Sequence, residues 1–430
     1  MVSPWEEYLD ALAAFGMRPG LERVEALLTL LGDPQRAFRT VHVVGTNGKS
    51  STTRYVEALL RAHGVRSAAY LSPHLTGYNE RVVINGASVS PGELGAAVEE
   101  VRAAVDRIPV ALGETTQFEV LTVAAFLALA RAGVQAAAVE AGLGGRLDAT
   151  NVVHAPVVVL TNIALEHTAV LGPTREAIFA EKAAVIHGGD AVFGPLEGLE
   201  PLAEARCART GARAHYWGRQ VVVQGDPRGF AVELRGAAGK RHYSGLRLPT
   251  AAGYQVTNGA LAVAAADLLL GGLNEERVRQ ALATTLVPGR LQVVGDRPLI
   301  LADGAHNPHG MAALVACLRQ LNPPRPRVAV LAMLRDKAVD EMLALVLPLV
   351  EQVICTEASE PRSLRAAELA ARIRRLPYQP AVEVAASSEA AFRLAARAAG
   401  RHGSVLITGS LYLLEDLARQ GLLKGEEHAR

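Results

Sequence analysis

Short apolar segments alternate with segments of helical spacing along most of this 430-residue chain. Residues 40–44 form an apolar, β-branched run that breaks into a glycine turn and is followed by a helical pattern at 51–63. The pattern recurs, with further predicted strands at 67–71, 135–140 and 155–162 and a predicted helix at 118–132. Apolar strands separated by helices are typical of a parallel sheet covered on both faces. The sequence therefore predicts an α/β domain with a mostly parallel sheet.

The pattern changes after residue 220. Residues 220–248 contain short alternating runs separated by Gly and Pro, which predict an antiparallel accessory hairpin. Two predicted helices, at 255–270 and 275–285, lead to a Val-Pro-Gly-Arg segment at 287–290. Beyond it the α/β pattern resumes, with predicted strands at 299–302, 328–332, 352–356, 381–384 and 405–408. We predict two domains, residues 1–286 and a smaller Rossmann-like α/β domain at 287–430.

The amino-acid composition limits the partners that this protein is expected to bind and the cellular compartment in which it is expected. The 44 basic and 43 acidic residues leave a net charge of +1, which favours neither nucleic acid nor an acidic membrane surface. The start of the chain carries Glu6 and Glu7 and lacks a targeting pattern, so a cytoplasmic protein is expected. The three cysteines lie far apart without CxxC spacing, which argues against zinc and disulfides.

The strongest local signal is GTNGKSS at residues 45–51, between the first strand and its helix. Backbone N–H groups of Gly45, Thr46, Asn47 and Gly48, together with the helix N-terminus, can surround phosphate oxygens. Lys49 supplies a positive charge, and the hydroxyl of Ser50 or Ser51 can bind magnesium. The generic phosphate-loop pattern has an earlier glycine where Val43 stands. In this strand–turn–helix context, phosphate binding outweighs a structural turn.

Three further residues follow in an order that favours a metal and nucleotide site. Glu140 ends an apolar strand, where a carboxylate can hold magnesium beside a phosphate loop. His167 follows the next strand, and Lys182 lies in a helical segment beyond it. Alone, His167 and Lys182 are typical surface residues. Their position after the phosphate loop and Glu140 favours a functional role.

These motifs together resemble the folylpolyglutamate synthase/dihydrofolate synthase family of the Mur ligase superfamily. The resemblance rests on strings in the family's usual order between about residues 40 and 415, namely GTNGKSS, SPHL, NERVVING, TQFEVLT, EAGLGGRLDATN, TNIALEH, EKAAVI, PGR, DGAHNPHG, MLRDK and TGSLYLL. The pair EAGLGGRLDATN and DGAHNP is far more specific than one phosphate loop. The resemblance implies an ATPase domain like the Mur ligase central domain, followed by a smaller α/β domain.

The resemblance also implies roles for residues of the first half. Lys49, Ser50 and Ser51 hold phosphates and metal, and Ser72 approaches a magnesium ion. Glu140 and His167 are implied magnesium ligands. Lys182 matches the family lysine that carbon dioxide carbamylates, which gives a carboxylate-like anion able to help hold the metal. Carbamylation requires a neutral amine, and hence a perturbed environment.

In the second half the resemblance places Asn258 and Arg290 near the nucleotide. Asp303 and His306 match residues that close over ATP and the incoming glutamate, and Ser410 is a further candidate for the glutamate contact. Asp303 and His306 also fit a capped turn, and Ser410 fits a helix cap. The functional role is favoured for Asp303 and His306, whereas both roles stay open for Ser410.

Four positions depart from the family pattern. The family often has glycine at Ser50, aspartate at Glu166, histidine at Tyr254 and a second aspartate at Ala338. Nucleotide contacts at Tyr254 and Ala338 are therefore expected to differ from those of the family, whereas no proposed metal ligand is lost.

The implied reaction is ATP-dependent amide formation with Mg²⁺, in which L-glutamate joins a folate or dihydropteroate carboxylate through an acyl phosphate. A monomer is expected. A peptidoglycan-type Mur ligase is disfavoured because only 44 residues precede Gly45, leaving no room for a UDP-sugar domain. The sequence is also compatible with an ATP-hydrolysing switch or with a structural α/β protein whose motifs have decayed. This last alternative is disfavoured because four residues of the motifs are intact, namely Lys49, Glu140, His167 and Lys182.

Overall fold

The structure is a computed structural model that describes residues 3–13, 16, 18–236 and 239–423. It contains two compact units, Met1–Pro249 with Gln255–Thr285, and Thr250–Tyr254 with Leu286–Arg430. Unlike the division predicted from sequence, the segment Thr250–Tyr254 thus groups with the second unit. The outer ends of the two predicted domains, residues 1–2 and 424–430, lie outside the described residues.

The first unit is built on an eight-stranded sheet in the order β4-β3-β2-β5-β1-β6-β7-β8. Its strands are β1 Arg39–Val44, β2 Ser67–Tyr70, β3 Val82–Ile84, β4 Ala87–Ser88, β5 Ala136–Glu140, β6 Val157–Leu160, β7 Asp190–Phe193 and β8 Arg213–Tyr216. The six strands from β2 to β8 in this order are parallel, and β3 and β4 form an antiparallel edge. The central strands β5 and β6 are buried along their whole length, so both faces of the sheet are covered. The predicted mostly parallel sheet is confirmed.

Helices supply the covering layers of this sheet. They are α1 Pro4–Ala13, α2 Glu22–Leu30, α3 Lys49–Ala62, α4 Pro91–Val105, α5 Gln117–Arg131, α6 Thr168–Leu171, α7 Arg175–Ala183, α8 Glu200–Thr210, α9 Tyr254–Leu270 and α10 Glu275–Thr284. Capping boxes formed by Ser90 with Glu93 and by Thr116 with Glu119 fix where α4 and α5 begin. Tyr70 and Val139 pack with α2, α4 and α5 in one core, while Phe193 packs with α7 and α8 in another.

The predicted accessory hairpin is a separate three-stranded antiparallel sheet. Its strands are β9 Val221–Asp226, β10 Gly229–Gly236 and β11 Gly239–Leu246, in the order β11-β10-β9. The hairpin prediction is therefore confirmed. A hairpin needs only two strands, and this sheet has three.

The second unit has its own six-stranded sheet in the order β12-β13-β17-β14-β15-β16. The strands are β12 Gln292–Asp296, β13 Leu299–Ala302, β14 Arg327–Leu331, β15 Gln352–Cys355, β16 Ala381–Val384 and β17 Ser404–Thr408. All pair in parallel except β12, which runs antiparallel to β13 at the edge. The helices are α11 Pro308–Leu321, α12 Val339–Val346, α13 Ala366–Arg375, α14 Ser388–Ala399 and α15 Leu411–Arg419. The five predicted strands of this unit are confirmed.

The strands that the sequence pattern did not predict lie towards sheet edges. They are β3, β4, β7, β8 and β12. Of these, β7 and β8 carry charged residues. Asp190 in β7 accepts hydrogen bonds from Arg213 at 2.9 and 2.7 Å and contacts His215 at 2.9 Å, both on β8. This polar pairing helps to stabilise the edge strand β8, which has no apolar run, so an apolar pattern misses it.

Two further expectations concern cysteines and membranes. The three cysteines are buried and form no disulfide, as predicted. None of the described helices is both long and apolar enough for a membrane span.

Candidate active site

The turn between β1 and α3 needs glycine at two positions. Gly45 and Gly48 have φ of 145° and 86°, which side chains other than glycine rarely adopt. A Cβ on Gly45 would lie 1.9 Å from Thr161 Oγ1, and one on Gly48 would lie 2.3 Å from Asn258 Oδ1. A side chain at either position would therefore strain the backbone and force a neighbouring residue to shift.

Residues that follow β6 hold the same turn from the other side. Thr46 N donates to Asn162 O at 3.0 Å, and Asn47 N donates to Asn162 Oδ1 at 3.0 Å. Thr161 Oγ1 donates to Asn47 O at 2.6 Å. Thr161 and Asn162 thus position the loop, a role that the sequence analysis did not assign. The signal was available, because two polar residues end an apolar strand beside the phosphate loop.

Lys49, the first residue of α3, folds back over the loop. Its Nζ donates to Gly45 O and to Thr46 O, both at 3.2 Å. The side chain is half-buried. A positive charge held at a glycine turn and a helix N-terminus is an arrangement that attracts phosphate.

Glu140, at the carboxyl end of β5, brings two predicted metal ligands together. Its Oε1 accepts from Ser50 Oγ at 2.9 Å, and its Oε2 accepts from Ser72 N at 3.1 Å. Glu140 is buried, and the neighbouring Ser51 has a buried Oγ without a hydrogen-bond partner among the described residues. Carboxylate and hydroxyl oxygens are the hard donors that Mg²⁺ prefers, so these residues fit a magnesium ion. The described residues contain no cluster of three or more His, Cys, Asp or Glu suited to a metal.

Arg54 is a charged neighbour of this site that the sequence analysis missed. It lies one turn beyond Ser50 on α3, and burial lowers the pKa of its guanidinium. The carboxylates of Glu140, Glu80 and Glu57 oppose that shift of the pKa. Its i+4 spacing from Ser50 was the available signal.

Lys182 on α7 is buried, with 4% of its surface exposed. Burial and the positive charge of Lys49 lower its pKa to about 7, against the opposing effect of Glu166 and Asp148. The glycine-rich loop after β5 packs directly on this helix, since a Cβ on Gly145 would lie 2.8 Å from Lys182 O. A substantial fraction of the amine is therefore neutral at physiological pH.

His167 and Asn258 take different positions. His167 immediately precedes α6, at an exposed position with a left-handed φ of 51°. Asn258 is 5% exposed on α9, where its Nδ2 donates to Gln255 Oε1 at 3.0 Å and its Oδ1 faces Gly48. The structure thus brings Asn258 to the phosphate loop, whereas the metal-binding role of His167 stays a prediction.

Asp303 directly follows β13, at the carboxyl end of this strand in the second unit. It holds the surrounding loop through several hydrogen bonds. Its Oδ2 accepts from Tyr254 Oη at 2.6 Å and from Leu291 N at 2.8 Å, and its Oδ1 accepts from Ala305 N at 2.9 Å. Burial raises the pKa of this carboxyl, while Arg290 and the hydrogen bonds act in the opposite direction. Asp303 is therefore a structural centre of its loop, in agreement with a capped turn.

His306 and Ser410 lie at the same edge of the second sheet. His306 Nδ1 lies 2.8 Å from Gly304 O, and a Cβ on Gly304 would lie 3.1 Å from an Arg290 guanidinium nitrogen. Ser410 is the N-cap of α15, where its Oγ accepts from Tyr412 N at 3.1 Å. The helix-cap role of Ser410 is thus observed, and its contact with glutamate stays a prediction.

Comparison with known proteins gives the class to which this fold and site belong. The Mur ligase middle domain family matches residues 43–266, and the family described as Mur ligase, glutamate ligase domain, matches residues 289–411. With a phosphate loop, a carboxylate beside it and a second α/β unit, the chain is an ATP-dependent ligase of the Mur ligase class.

Individual relatives narrow this class. A dihydrofolate synthase/folylpolyglutamate synthase of Mycobacterium tuberculosis is 37% identical over 82% of this chain and 77% of its own length. The Escherichia coli protein of the same name is 34% identical over 86% of this chain and 84% of its own. The chain therefore belongs to the folylpolyglutamate synthase/dihydrofolate synthase family.

Solved structures agree with this assignment. The Mycobacterium tuberculosis folylpolyglutamate synthase complexed with ADP has a TM-score of 0.89 at 34% identity, over 97% of both chains. The Yersinia pestis bifunctional enzyme with Mn, AMPPNP and L-glutamate bound has a TM-score of 0.86 at 32% identity, over 98% of both chains.

Proposed function

We propose that this protein joins L-glutamate to a folate-type carboxylate at the expense of ATP, as a dihydrofolate synthase, a folylpolyglutamate synthase or both. The observation that carries the proposal is the contact of Ser50 with Glu140, beside the loop that Lys49 covers. It combines phosphate-binding and metal-binding groups at one end of β1 and β5. The family relationship supplies the acceptor and the amino acid.

The reaction has two steps. The acceptor carboxylate attacks the γ-phosphorus of ATP, which forms an acyl phosphate and releases ADP. The glutamate amine then attacks the acyl carbonyl, the C–N bond forms, and inorganic phosphate and a proton leave. Phosphorylation is needed because an amine does not displace oxygen from a free carboxylate. Positioning and charge neutralisation account for most catalysis of such transfers.

Within the first unit, we assign the nucleotide phosphates to the backbone of Gly45, Thr46, Asn47 and Gly48. Lys49 faces the transferred phosphoryl group, and Asn258 lies beside the loop. Mg²⁺ would be held by Glu140 with Ser50, Ser51, Ser72 and His167, and when bound it neutralises phosphate charge. Pre-formed donors of this kind cost no reorganisation during the reaction.

Lys182 is proposed to carry a carbamate. Its neutral amine attacks the carbon of CO₂, an N–C bond forms, and one proton is lost to solvent. The product is an anion that complements the positive charge of Lys49 and contributes to the metal site. The buried amine with a pKa of about 7 supports this step, because a protonated lysine cannot attack.

In the second unit, Arg290 and Asp303 are proposed to contact the nucleotide, and Asp303, His306 and Ser410 to contact glutamate. His306 is the proposed catalytic residue of this unit. We further propose that the protein is a cytoplasmic monomer and that it binds neither nucleic acid nor membranes.

The test is ADP release by the purified protein with MgATP and glutamate. Separate reactions contain dihydropteroate, a tetrahydrofolate monoglutamate or no acceptor, and product masses are read in parallel. A mass gain of one glutamyl residue on either acceptor is expected. ADP release that is independent of acceptor, with no mass gain, would instead identify an ATP-hydrolysing switch.

A further inference from the structure

The carboxyl-terminal end of α7 is held by a side chain from the neighbouring helix α8. Arg206 lies on α8, and its Nη2 donates to Ala184 O and to Ile186 O, both at 2.7 Å. These two carbonyls lie just beyond the last residue of α7, Ala183. Carbonyl groups at the end of a helix lack partners within the helix, and a cationic donor suits them. Arg206 therefore fixes the turn that begins two residues after Lys182.

The guanidinium of Arg206 makes this contact without a carboxylate partner. Among the residues that the structure describes, no carboxylate pairs with it, and its Nε is closed to solvent and has no hydrogen-bond partner. By contrast, the guanidinium of Arg213 in the same unit pairs with Asp190 at 2.7 Å. Burial of part of an unpaired cation costs free energy. What this contact provides is therefore a fixed position of the α7 end rather than a gain from charge pairing.

The loop after β5 holds the end of α7 from another side. Arg146 N donates to Glu181 O at 2.9 Å. A Cβ on Gly145 would lie 2.8 Å from Glu181 O and equally close to Lys182 O. The backbone of the loop that follows Glu140 thus packs against the backbone of the residue that carries the buried amine.

Asn151 joins this loop to the segment that follows α7. Its side chain is buried, its Nδ2 donates to Arg146 O at 3.0 Å, and its Oδ1 lies 2.9 Å from His187 Nε2. One amide therefore bridges a residue that precedes it by five positions and one that follows Lys182 by five. Arg206 and Asn151 hold the same segment, residues 184–187, from two different elements.

This support sets the position of the Lys182 amine. The start of α7 is fixed separately, because the side chain of Thr174 accepts a hydrogen bond from Ala177 N at 3.2 Å. Lys182 is 4% exposed, so its amine has no alternative position in solvent and moves with the helix end. A misplacement of about 1 Å can lower the rate of a positioned reaction on the order of 100-fold.

We propose that Arg206 and Asn151 are positioning residues, which hold the end of α7 where the Lys182 amine can form its carbamate and keep it. The proposal rests on the carbamate proposed above for Lys182. Neither residue touches the reactants, and each acts through the backbone on either side of the lysine. Loss of either contact should therefore weaken the affinity of the amine for CO₂ and leave the rest of the site intact.

The test is a bicarbonate titration of the purified, degassed protein with two readouts. Carbon NMR with isotopically labelled bicarbonate reports the carbamate, whose signal should be absent from Lys182→Ala, and the ligase rate is measured in parallel. In Arg206→Gln we expect the bicarbonate concentration for half-maximal signal and rate to rise at least roughly tenfold, with most of the maximal rate recovered at saturation. A residue that only stabilises the fold would lower the maximal rate and leave the half-saturating concentration unchanged.

Arg39→Gln is the matched control. The guanidinium of Arg39 also donates to a carbonyl near the end of a helix, Leu269 O of α9, in the same unit. This variant should keep the half-saturating bicarbonate concentration of wild type. Circular dichroism checks folding, and Asn151→Ala decides the matter if Arg206→Gln does not fold.

Two kinds of failure can be told apart. A wild type that carries the carbamate, with unchanged half-saturation in Arg206→Gln and Asn151→Ala, overturns the positioning role alone. A wild type with no carbamate signal and a rate independent of bicarbonate overturns the carbamate at Lys182, and the positioning role with it.

Discussion

Glu140 accepts a hydrogen bond from the Ser50 hydroxyl at 2.9 Å, which ties the end of β5 to the first turn of α3. The two residues are 90 positions apart in the sequence. They meet because β1 and β5 are parallel neighbours whose carboxyl ends share one edge of the sheet. The carboxylate is thereby placed at the helix N-terminus that begins at the phosphate loop.

Replacement of this carboxylate should abolish most of the activity. For Glu140→Gln we expect kcat to fall on the order of 10²-fold and the Mg²⁺ concentration for half-maximal rate to rise, because a neutral amide binds the metal weakly. Steady-state rates over a magnesium titration measure both effects. The exposed Glu99→Gln is the matched control, and an unchanged magnesium dependence of Glu140→Gln would contradict the assigned role.

The packing of Gly48 predicts a loss of nucleotide affinity in Gly48→Ala. The left-handed backbone costs roughly 1–2 kcal/mol for alanine, and the new Cβ collides with Asn258. The matched control is Gly64→Ala, with a similar φ of 78° and no atom within 4 Å of its Cβ. We expect the KM for ATP to rise at least about tenfold in Gly48→Ala only. Equal effects in both variants would show that backbone strain alone matters.

Carbamylation predicts chemical rescue. Lys182→Ala should lose activity, and short carboxylates such as acetate or propionate should restore part of it, because they replace the anionic group of the carbamate. Wild type degassed and assayed without CO₂ should also lose activity, which bicarbonate restores. Lys240→Ala, at an exposed position on β11, should change neither response. A Lys182→Ala variant that amines rescue better than carboxylates would argue for an unmodified lysine.

Stability should depend on pH through His42. Burial lowers its pKa to about 3, and its Nε2 lies 2.8 Å from Thr150 Oγ1. Because the unfolded chain binds this proton more readily, the stabilisation is complete above pH ~6.5 and declines as the pH falls towards about 3.

Between pH 7 and 5 this group should account for about 2 kcal/mol of lost unfolding free energy. Urea denaturation of wild type and His42→Gln at both pH values measures it, with the exposed His242→Gln as a control. The His42 variant should lose less stability than wild type over this interval. Parallel pH profiles of wild type and His42→Gln would show that His42 is protonated equally in both states.

Tyr254 should stabilise the Asp303 loop. Tyr254→Phe removes the hydroxyl that donates to the buried Asp303 Oδ2, which should cost about 1–3 kcal/mol of unfolding free energy. The control is Tyr378→Phe, at a partly buried tyrosine that packs against the core of the same unit. Chemical denaturation detects the difference, and equal losses in the two variants would contradict a structural role for this contact.

The sequence alone determined the α/β class, the positions of most strands along the chain and the identity of the phosphate loop, because these depend on local patterns of apolar residues and glycine. It also marked Glu140 and Lys182 by their order along the chain. The strands β7 and β8, at one side of the first sheet, escaped the sequence pattern, and they are joined in part by pairing of Asp190 on β7 with residues of β8.

Only the tertiary structure could show the contacts and pKa shifts that depend on residues distant in the sequence. The roles of Thr161 and Asn162 in holding the loop, the lowered pKa of Lys182, and the contact of Tyr254 with Asp303 all involve residues far apart in sequence. Burial and hydrogen-bond partners are set only when the chain is packed, so no local pattern could supply them.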